Sequence, residues 1–327
     1  GVTNALIALA QTAAAKDRTW QSQWSNLRER HIETARDLLG DQSGALRVWL
    51  EARHADLADT LRALAVLGIP AREALDAIQG LGEIWSAHLL RAHIESLGHE
   101  CALLDARDVL VVAQAELGVA VDWAASATRL AEWRASHPQR RVVITGFVAR
   151  DDDGRPTTLG RNGSDFSGAI FAALFDAREL HIWTDVDGVL SADPRLVPEA
   201  VSLNALSYEE ACELAYFGAK VIHPQTMLPA MALGLPIHIR NTFKPSHPGT
   251  CISTVGDSAE GPVRGLSLAD ELAIVSVEGA GMIGVPGTAE RVFAALRDAK
   301  VSVVVISQGS PEHSSCVLVR GADCSRA

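Results

Sequence analysis

The sequence predicts an α/β fold with a mainly parallel sheet, followed by a small second unit. Three observations predict it. From His99 onward, short apolar runs alternate with helical patterns, as strands and crossover helices do. The glycine-bearing stretch 157–165 lies between one such run and a helix. Beyond a Ser-, Gly-, Asp-, Glu- and Pro-rich stretch at 253–264, the chain reads strand, helix, strand, strand.

Taken in order, residues 5–15, 19–39, 43–67 and 71–97 show helical periodicity, with Gly40, Gly68 and Pro70 as breakers. Inside the last of them, Gly80 and Gly82 precede a lone acid, Glu83. This is either a place where backbone approaches a ligand or a helix kink with a solvated acid. Residues 100–104 and 109–113 read as short strands, 123–136 as a helix and 142–148 as a buried strand. Helix 165–176 and strand 179–183 follow, then an acidic loop, Thr184 to Arg195. In such sheets ligands sit in the loops at the strands' carboxyl ends. Ser207 and Glu210 form a capping box opening helix 208–217, and 236–240 is the last strand expected in this domain. The second unit reads as strands 273–277, 301–307 and 314–319 with a helix at 288–300, half of a ferredoxin-like sandwich.

Composition bounds the chemistry. With 327 residues, 48% hydrophobic and 21% charged, the chain suits about two globular domains. A net charge of −11 argues against nucleic-acid binding, and no apolar run is long enough to span a membrane. Five cysteines without a C-x-x-C spacing fit free thiols in a reducing cytoplasm. His88 and His93 are five apart and no H-E-x-x-H occurs, so nothing suggests a zinc site, and no metal-ligating residues are expected.

The chemistry concentrates in 157–165. Gly160 and Gly163 allow positive φ and close approach of backbone N–H groups to an anion. The following helix N-terminus adds unpaired donors, and Arg161 a fork for carboxylate or phosphate. Asp165 either orients a cation, such as Mg²⁺ or a substrate ammonium, or is a first-turn acid suited to the helix dipole. In the acidic loop, Asp185, Asp187 and Asp193 could hold hydrated Mg²⁺ or a ribose, and Arg195 a phosphate; a plain surface turn at Asp187–Gly188 is the alternative. Lys220, beside a helix terminus, is either a nucleotide contact or a solvated lysine. Gly279 to Gly284 spells G-x-G-x-x-G, but Val285-Pro286-Gly287 intrudes before the helix and no ribose acid ends the next strand. It reads as an effector loop, not a nicotinamide site.

Three long motifs, Thr158 to Asp165, Trp183 to Gly188 with Asp193-Pro194-Arg195, and Tyr216 to Pro224, together resemble the signatures of aspartate kinases in order and spacing. The Arg-Asn-Gly-Ser-Asp form, Ser307-Gln308 and Glu312-His313-Ser314 look most like the kinase half of bifunctional aspartate kinase/homoserine dehydrogenase. The resemblance implies an amino-acid-kinase-like (carbamate-kinase-like) αβα sandwich over 1–252, a linker at 253–264 and a partial ferredoxin-like ACT regulatory module over 265–327. It implies transfer of the γ-phosphate of Mg-ATP to the side-chain carboxylate of L-aspartate, giving 4-phospho-L-aspartate, with feedback by threonine or lysine. Thr3, Glu83, Arg161, Asn162, Gly163 and Ser164 would hold aspartate, and Asp165 with Arg161 would serve the reacting centre. Thr184, Asp185, Leu190, Arg195, Lys220 and Val221 would line the nucleotide, with Leu190 standing where the family usually has an aromatic. Gln308 and loop 279–288 would serve the effector, and ACT modules would pair copies into a homo-oligomer. The family's Lys-Phe-Gly-Gly segment does not occur, so a strand-helix-strand unit is expected before Gly1 and a truncation at Ala327. The alternative function is a catalytically inactive amino-acid-binding regulatory fragment.

Overall fold

A computed structural model describes residues 1–69, 72–115, 118–160, 162–216, 223–256, 263–278, 287–308 and 314–327. The chain opens with four helices, α1 (Val2–Ala14), α2 (Trp20–Leu39), α3 (Gly44–Leu67) and α4 (Arg72–Ser96). Gly40 and Gly68 end their helices at φ 52° and 76°, conformations that suit residues without a Cβ. These four helices bury one core of Leu6, Leu50, Leu57, Leu61 and Trp85. Gly80 and Gly82 do not kink α4, which runs unbroken. They let it lie close to its neighbours: a Cβ at Gly80 would fall 2.6 Å from Val148 Cγ1, and one at Gly82 2.9 Å from Val2 Cγ1.

Within this core the His54 ring is fully buried, with its centroid 4.4 Å from Trp85 and 5.2 Å from His31. Neither ring nitrogen of His54 has a hydrogen-bond partner among the described residues. Burial, and then the charge of His31, push its pKa down to about 4, so the fold holds it neutral. A histidine whose folded pKa is lowered contributes stability above about pH 6.5 that is lost as the pH falls toward 4, here about 3 kcal/mol in all. Thermal unfolding between pH 7.5 and 4.5 should therefore show a steeper fall for the wild type than for His54→Leu. Parallel falls would remove His54 from the acid response.

The next elements are β1 (Ala102–Leu104), α5 (Ala106–Val109), β2 (Val112–Ala115), β3 (Gly118–Val121), α6 (Trp123–Ser136), β4 (Val142–Ile144), β5 (Val148–Arg150), β6 (Pro156–Thr158) and α7 (Gly163–Leu174). Two expectations change here. The strand expected at 109–113 begins at Val112, because the Asp105 carboxylate accepts from Arg107 N–H and caps a helical turn through Val109. The strand expected over 142–148 is broken in two. Phe147 has φ 67°, and the Thr145 hydroxyl accepts from Ala106 N–H instead of leaving a regular ladder. β1 and β4 pair in parallel, and β5 and β6 form a hairpin across the turn expected at 151–154.

The remaining body contains β7 (Leu180–Thr184), β8 (Ala205–Ser207), α8 (Tyr208–Tyr216), α9 (Pro224–Ala232), β9 (Ile237–Asn241) and β10 (Thr250–Ser253). They form a four-stranded sheet in the order β7-β9-β10-β8, parallel except between β9 and β10. Strand 237–241 is thus not the last of this body; β10 adds to it and draws in β8. The capping box forms as expected, with Glu210 N–H donating to Ser207 Oγ at 3.1 Å and Ser207 N–H to the Glu210 carboxylate at 2.7 Å.

A small α/β module closes the chain: β11 (Leu272–Glu278), α10 (Thr288–Asp298), β12 (Val303–Gln308) and β13 (Ser314–Arg320), with an antiparallel sheet in the order β11-β13-β12. Leu296, Val301, Val317 and Val319 form its core. Tyr216 O–H, on α8, donates to the Val303 carbonyl at 3.2 Å, and Leu266 N–H to the Ser191 carbonyl at 2.7 Å, so the module is tied to the body. No helix among the described residues is long and apolar enough to cross a membrane.

Candidate functional site

The loop between β4 and β5 meets the first turn of α7. Ser167 Oγ fastens the two, accepting from Phe147 N–H at 2.7 Å and donating to the Gly163 carbonyl at 2.7 Å. Gly163 has to lack a side chain, since a Cβ there would lie 2.7 Å from the Phe147 ring and 3.0 Å from Leu159 Cβ. Asn162 occupies the N-cap of α7 with φ 57° and makes no side-chain cap bond, leaving the helix N-terminus open. Gly160 has φ 74°, and the space its Cβ would take is empty.

Glu83 comes to the same place from α4. A point one Cβ out from Gly146 lies 3.8 Å from the Glu83 carboxylate and 3.8 Å from Ser164 Cα. Burial raises the pKa of Glu83, and it raises that of Asp165 as well. Neither acid has a hydrogen-bond or ion-pair partner among the described residues. Two partly desolvated carboxylates with no cation among the described residues, beside a helix N-terminus without a side-chain cap, have the chemistry to take an ammonium and an anion. Thr3 stands half-buried in the first turn of α1, which packs on α4 at Gly82.

A second group lies at the carboxyl ends of β7 and β9. Thr184 Oγ1 donates to Asp185 at 3.3 Å. Arg195 folds back on Asp193, its Nη2 2.5 Å from the carboxylate and its side chain largely exposed. Leu190 bridges to Ser202. The sequence reading overlooked what shapes this loop. Asp187 accepts from Asn241 Nδ2 at 2.6 Å and Lys244 Nζ at 2.7 Å, and these bonds hold its carboxyl below the usual range. The Thr250 hydroxyl accepts from Val189 N–H at 2.8 Å and donates to the Leu203 carbonyl at 2.6 Å. Arg161, Lys220, Val221 and loop 279–286 lie outside the described residues, as does the side chain of Gln308. The described structure thus brings Glu83 and Ser164 beside Gly146, sets Asp165 in the same helix turn as Ser164, and places Thr184 at the end of β7 with Asp185 and Arg195 in the loop that follows.

Comparison with known proteins agrees with this architecture. Residues 3–241 match the model of the amino acid kinase family, and residues 275–327 that of an ACT domain. The chain is 44% identical over 325 residues to bifunctional aspartokinase/homoserine dehydrogenase 1, chloroplastic, of Arabidopsis thaliana, covering 97% of this chain and 36% of that protein. It is 35% identical to the bifunctional aspartokinase/homoserine dehydrogenase of Haemophilus influenzae, covering 99% of this chain and 40% of that protein. The chain therefore spans little more than a third of the length of the curated relatives it matches. Among solved structures, E. coli aspartokinase III in complex with aspartate and ADP superposes with a TM-score of 0.79 at 26% identity, over 98% of this chain and 70% of that one.

Proposed function

This chain belongs to the amino acid kinase family, and from that premise we propose that it is the kinase portion of an aspartate kinase. A side-chain carboxylate oxygen of L-aspartate attacks the γ-phosphorus of ATP, ADP leaves with the bridging oxygen's electrons, and 4-phospho-L-aspartate forms. The observation that carries the proposal is the convergence of Glu83, which has no partner among the described residues, with Ser164 beside Gly146, at the mouth of α7. Glu83 takes the substrate ammonium, and Asn162, Gly163, Ser164 and Thr3, with Arg161, hold its carboxylates. Asp165, partly desolvated and without a cation among the described residues, fits Mg²⁺ at the reacting centre. When bound, Mg²⁺ neutralises charge on the transferring phosphates. Thr184, Asp185, Leu190, Arg195, Lys220 and Val221 line the nucleotide. Catalysis is then positioning plus charge neutralisation, with no covalent step on the protein.

The kinase portion is assigned to 1–252, the linker to 253–264 and the ACT module to 265–327. The module answers threonine or lysine, with Gln308 and loop 279–288 at the effector. The Leu266–Ser191 hydrogen bond joins the start of the module to the nucleotide loop, a short path for such regulation. Exposed Ile274 and Ile306, on the sheet's outer strands β11 and β12, are the surface through which a second copy completes the sandwich. Five free cysteines suit the reducing cytoplasm.

Titration calorimetry tests the carrying observation. The chain should bind aspartate well and succinate, which lacks the ammonium, about 10² times more weakly, the worth of one buried charge pair. In Glu83→Gln, aspartate should fall to the succinate level. Equal binding of the two ligands by the wild type would refute the role of Glu83. Absence of aspartate-dependent ADP formation from the whole gene product would refute the kinase.

A further inference from the structure

One face of the four-stranded sheet carries ligand chemistry that the proposed kinase site does not use. In β7, Leu180 and Ile182 pack on the core, so Glu179, His181 and Trp183 lie on the opposite face. In β9, Ile237 and Ile239 are fully buried, which puts His238 and Arg240 on that same outer face. The parallel register pairs His181 with His238, and their rings stack at 4.7 Å with 18° between the planes. Glu179 reaches both: one carboxylate oxygen lies 3.0 Å from His181 Nε2, the other 3.7 Å from His238 Nε2. One donor atom from each of the three residues lies within 4.8 Å of the other two.

From this geometry we infer a binding site for a borderline divalent transition-metal cation, Zn²⁺ being the probe, held by Glu179, His181 and His238. Neighbouring ligands on such an ion, at about 2.1 Å each, stand about 3 to 3.5 Å apart, so small side-chain rotations seat it. Two imidazoles with one carboxylate are the donor set of zinc and its first-row neighbours, whereas Mg²⁺ and Ca²⁺ prefer oxygen. The site is open to solvent, with Glu179 56% exposed and the two imidazoles 29% and 26%. A simple ion pair would account for one histidine beside Glu179. It gives no reason for a second to stack on the first and aim its Nε2 at the same carboxylate.

The surroundings are compatible. Arg240 adds positive charge on the same strand, but its guanidinium sits over the Trp183 ring, 5.2 Å from the centroid. Cys251 is in register with His238 on the next strand and stays outside the three-donor cluster. Among the described residues β7 is an edge strand paired only with β9. A cation bridging the two would pin the strand that delivers Thr184 and Asp185 to their loop.

The test is titration of metal-free chain with Zn²⁺, read by calorimetry and by thermal unfolding. The wild type should bind one equivalent that Mg²⁺ does not displace, with a rise in melting temperature. His181→Ala, His238→Gln and Glu179→Gln should each weaken that binding by about tenfold or more, since each removes a ligand atom. His99→Gln, an exposed histidine elsewhere, should leave it unchanged. Glu179→Gln lies on the surface and keeps the test decisive should the histidine variants unfold. Undiminished zinc binding in the His181→Ala/His238→Gln double variant, or no zinc-dependent stabilisation of the wild type, would overturn the assignment.

Discussion

Asp165→Asn is expected to lower turnover by about 10² to 10³-fold, the worth of one well-placed electrostatic group, while aspartate affinity stays nearly unchanged. The same substitution should leave the melting temperature unchanged or raise it. Asp165 is partly desolvated and has no partner among the described residues, and burial lifts its pKa. An acid with a raised folded pKa destabilises the fold once ionised, above that pKa, and the penalty disappears as the pH falls. Asparagine removes the penalty at neutral pH, against a helix-dipole contribution of about 0.3 to 1 kcal/mol that is lost with the charge. A residue kept for stability would show the reverse pattern, with activity following the loss of fold. The pH profile supplies a second readout. If the ionised carboxylate organises the reacting centre, the acid limb of kcat/KM, which reports the free enzyme, should lie above the ordinary aspartate range in the wild type and vanish in the variant. A variant with near-normal turnover and an intact acid limb would take Asp165 out of the mechanism.

The parts of this molecule visible in the sequence are those whose causes are local. Helix 123–136 keeps its expected bounds because Asp122 caps it and accepts from Ala125 N–H. The glycine loop and the first turn of α7 are contiguous, so their relation could be read directly. The break at Phe147 could not, because its positive φ is held by Ser167, twenty residues on. The same holds for β8, three residues long and stabilised by parallel pairing with β10. Helix α9 carries Pro229 in its interior, which breaks the helical pattern in the sequence; its one clear local signal is His223 followed by Pro224 at the first helical position. Glu83 stands out in the sequence by its two glycines, but its neighbour Ser164 arrives from a different element altogether. The Glu179, His181 and His238 cluster is hidden for a similar reason. Its spacing in sequence matches no metal motif, and only the parallel register of β7 and β9 places the histidines side by side.

Gly249→Ala is the second substitution with a large expected effect, and it acts through the fold. Gly249 is buried immediately before β10 at φ 73°. A Cβ there would lie 1.9 Å from the Ile239 carbonyl oxygen and 3.0 Å from its carbon, both backbone atoms of the adjacent strand. No rotamer relieves that overlap, so β10 has to move away from β9. The next residue is Thr250, whose hydroxyl joins Val189 N–H to the Leu203 carbonyl. Displacing it unfastens the loop that carries Asp185 to Arg195 as well as the pairing of β9 with β10. The left-handed conformation alone costs a non-glycine residue about 1 to 2 kcal/mol, and the steric displacement and orphaned hydrogen bonds should bring the loss to at least about 3 kcal/mol. Gly160→Ala isolates the conformational part, because Gly160 has nearly the same φ, 74°, with nothing within 4 Å of its Cβ position. Denaturant unfolding should therefore show Gly249→Ala losing about 2 kcal/mol more than Gly160→Ala. Nucleotide binding should fail in the former through loosening of the loop. Equal losses at the two positions would mean that β10 yields freely, and that the close passage of strand over strand does not hold the nucleotide loop in place.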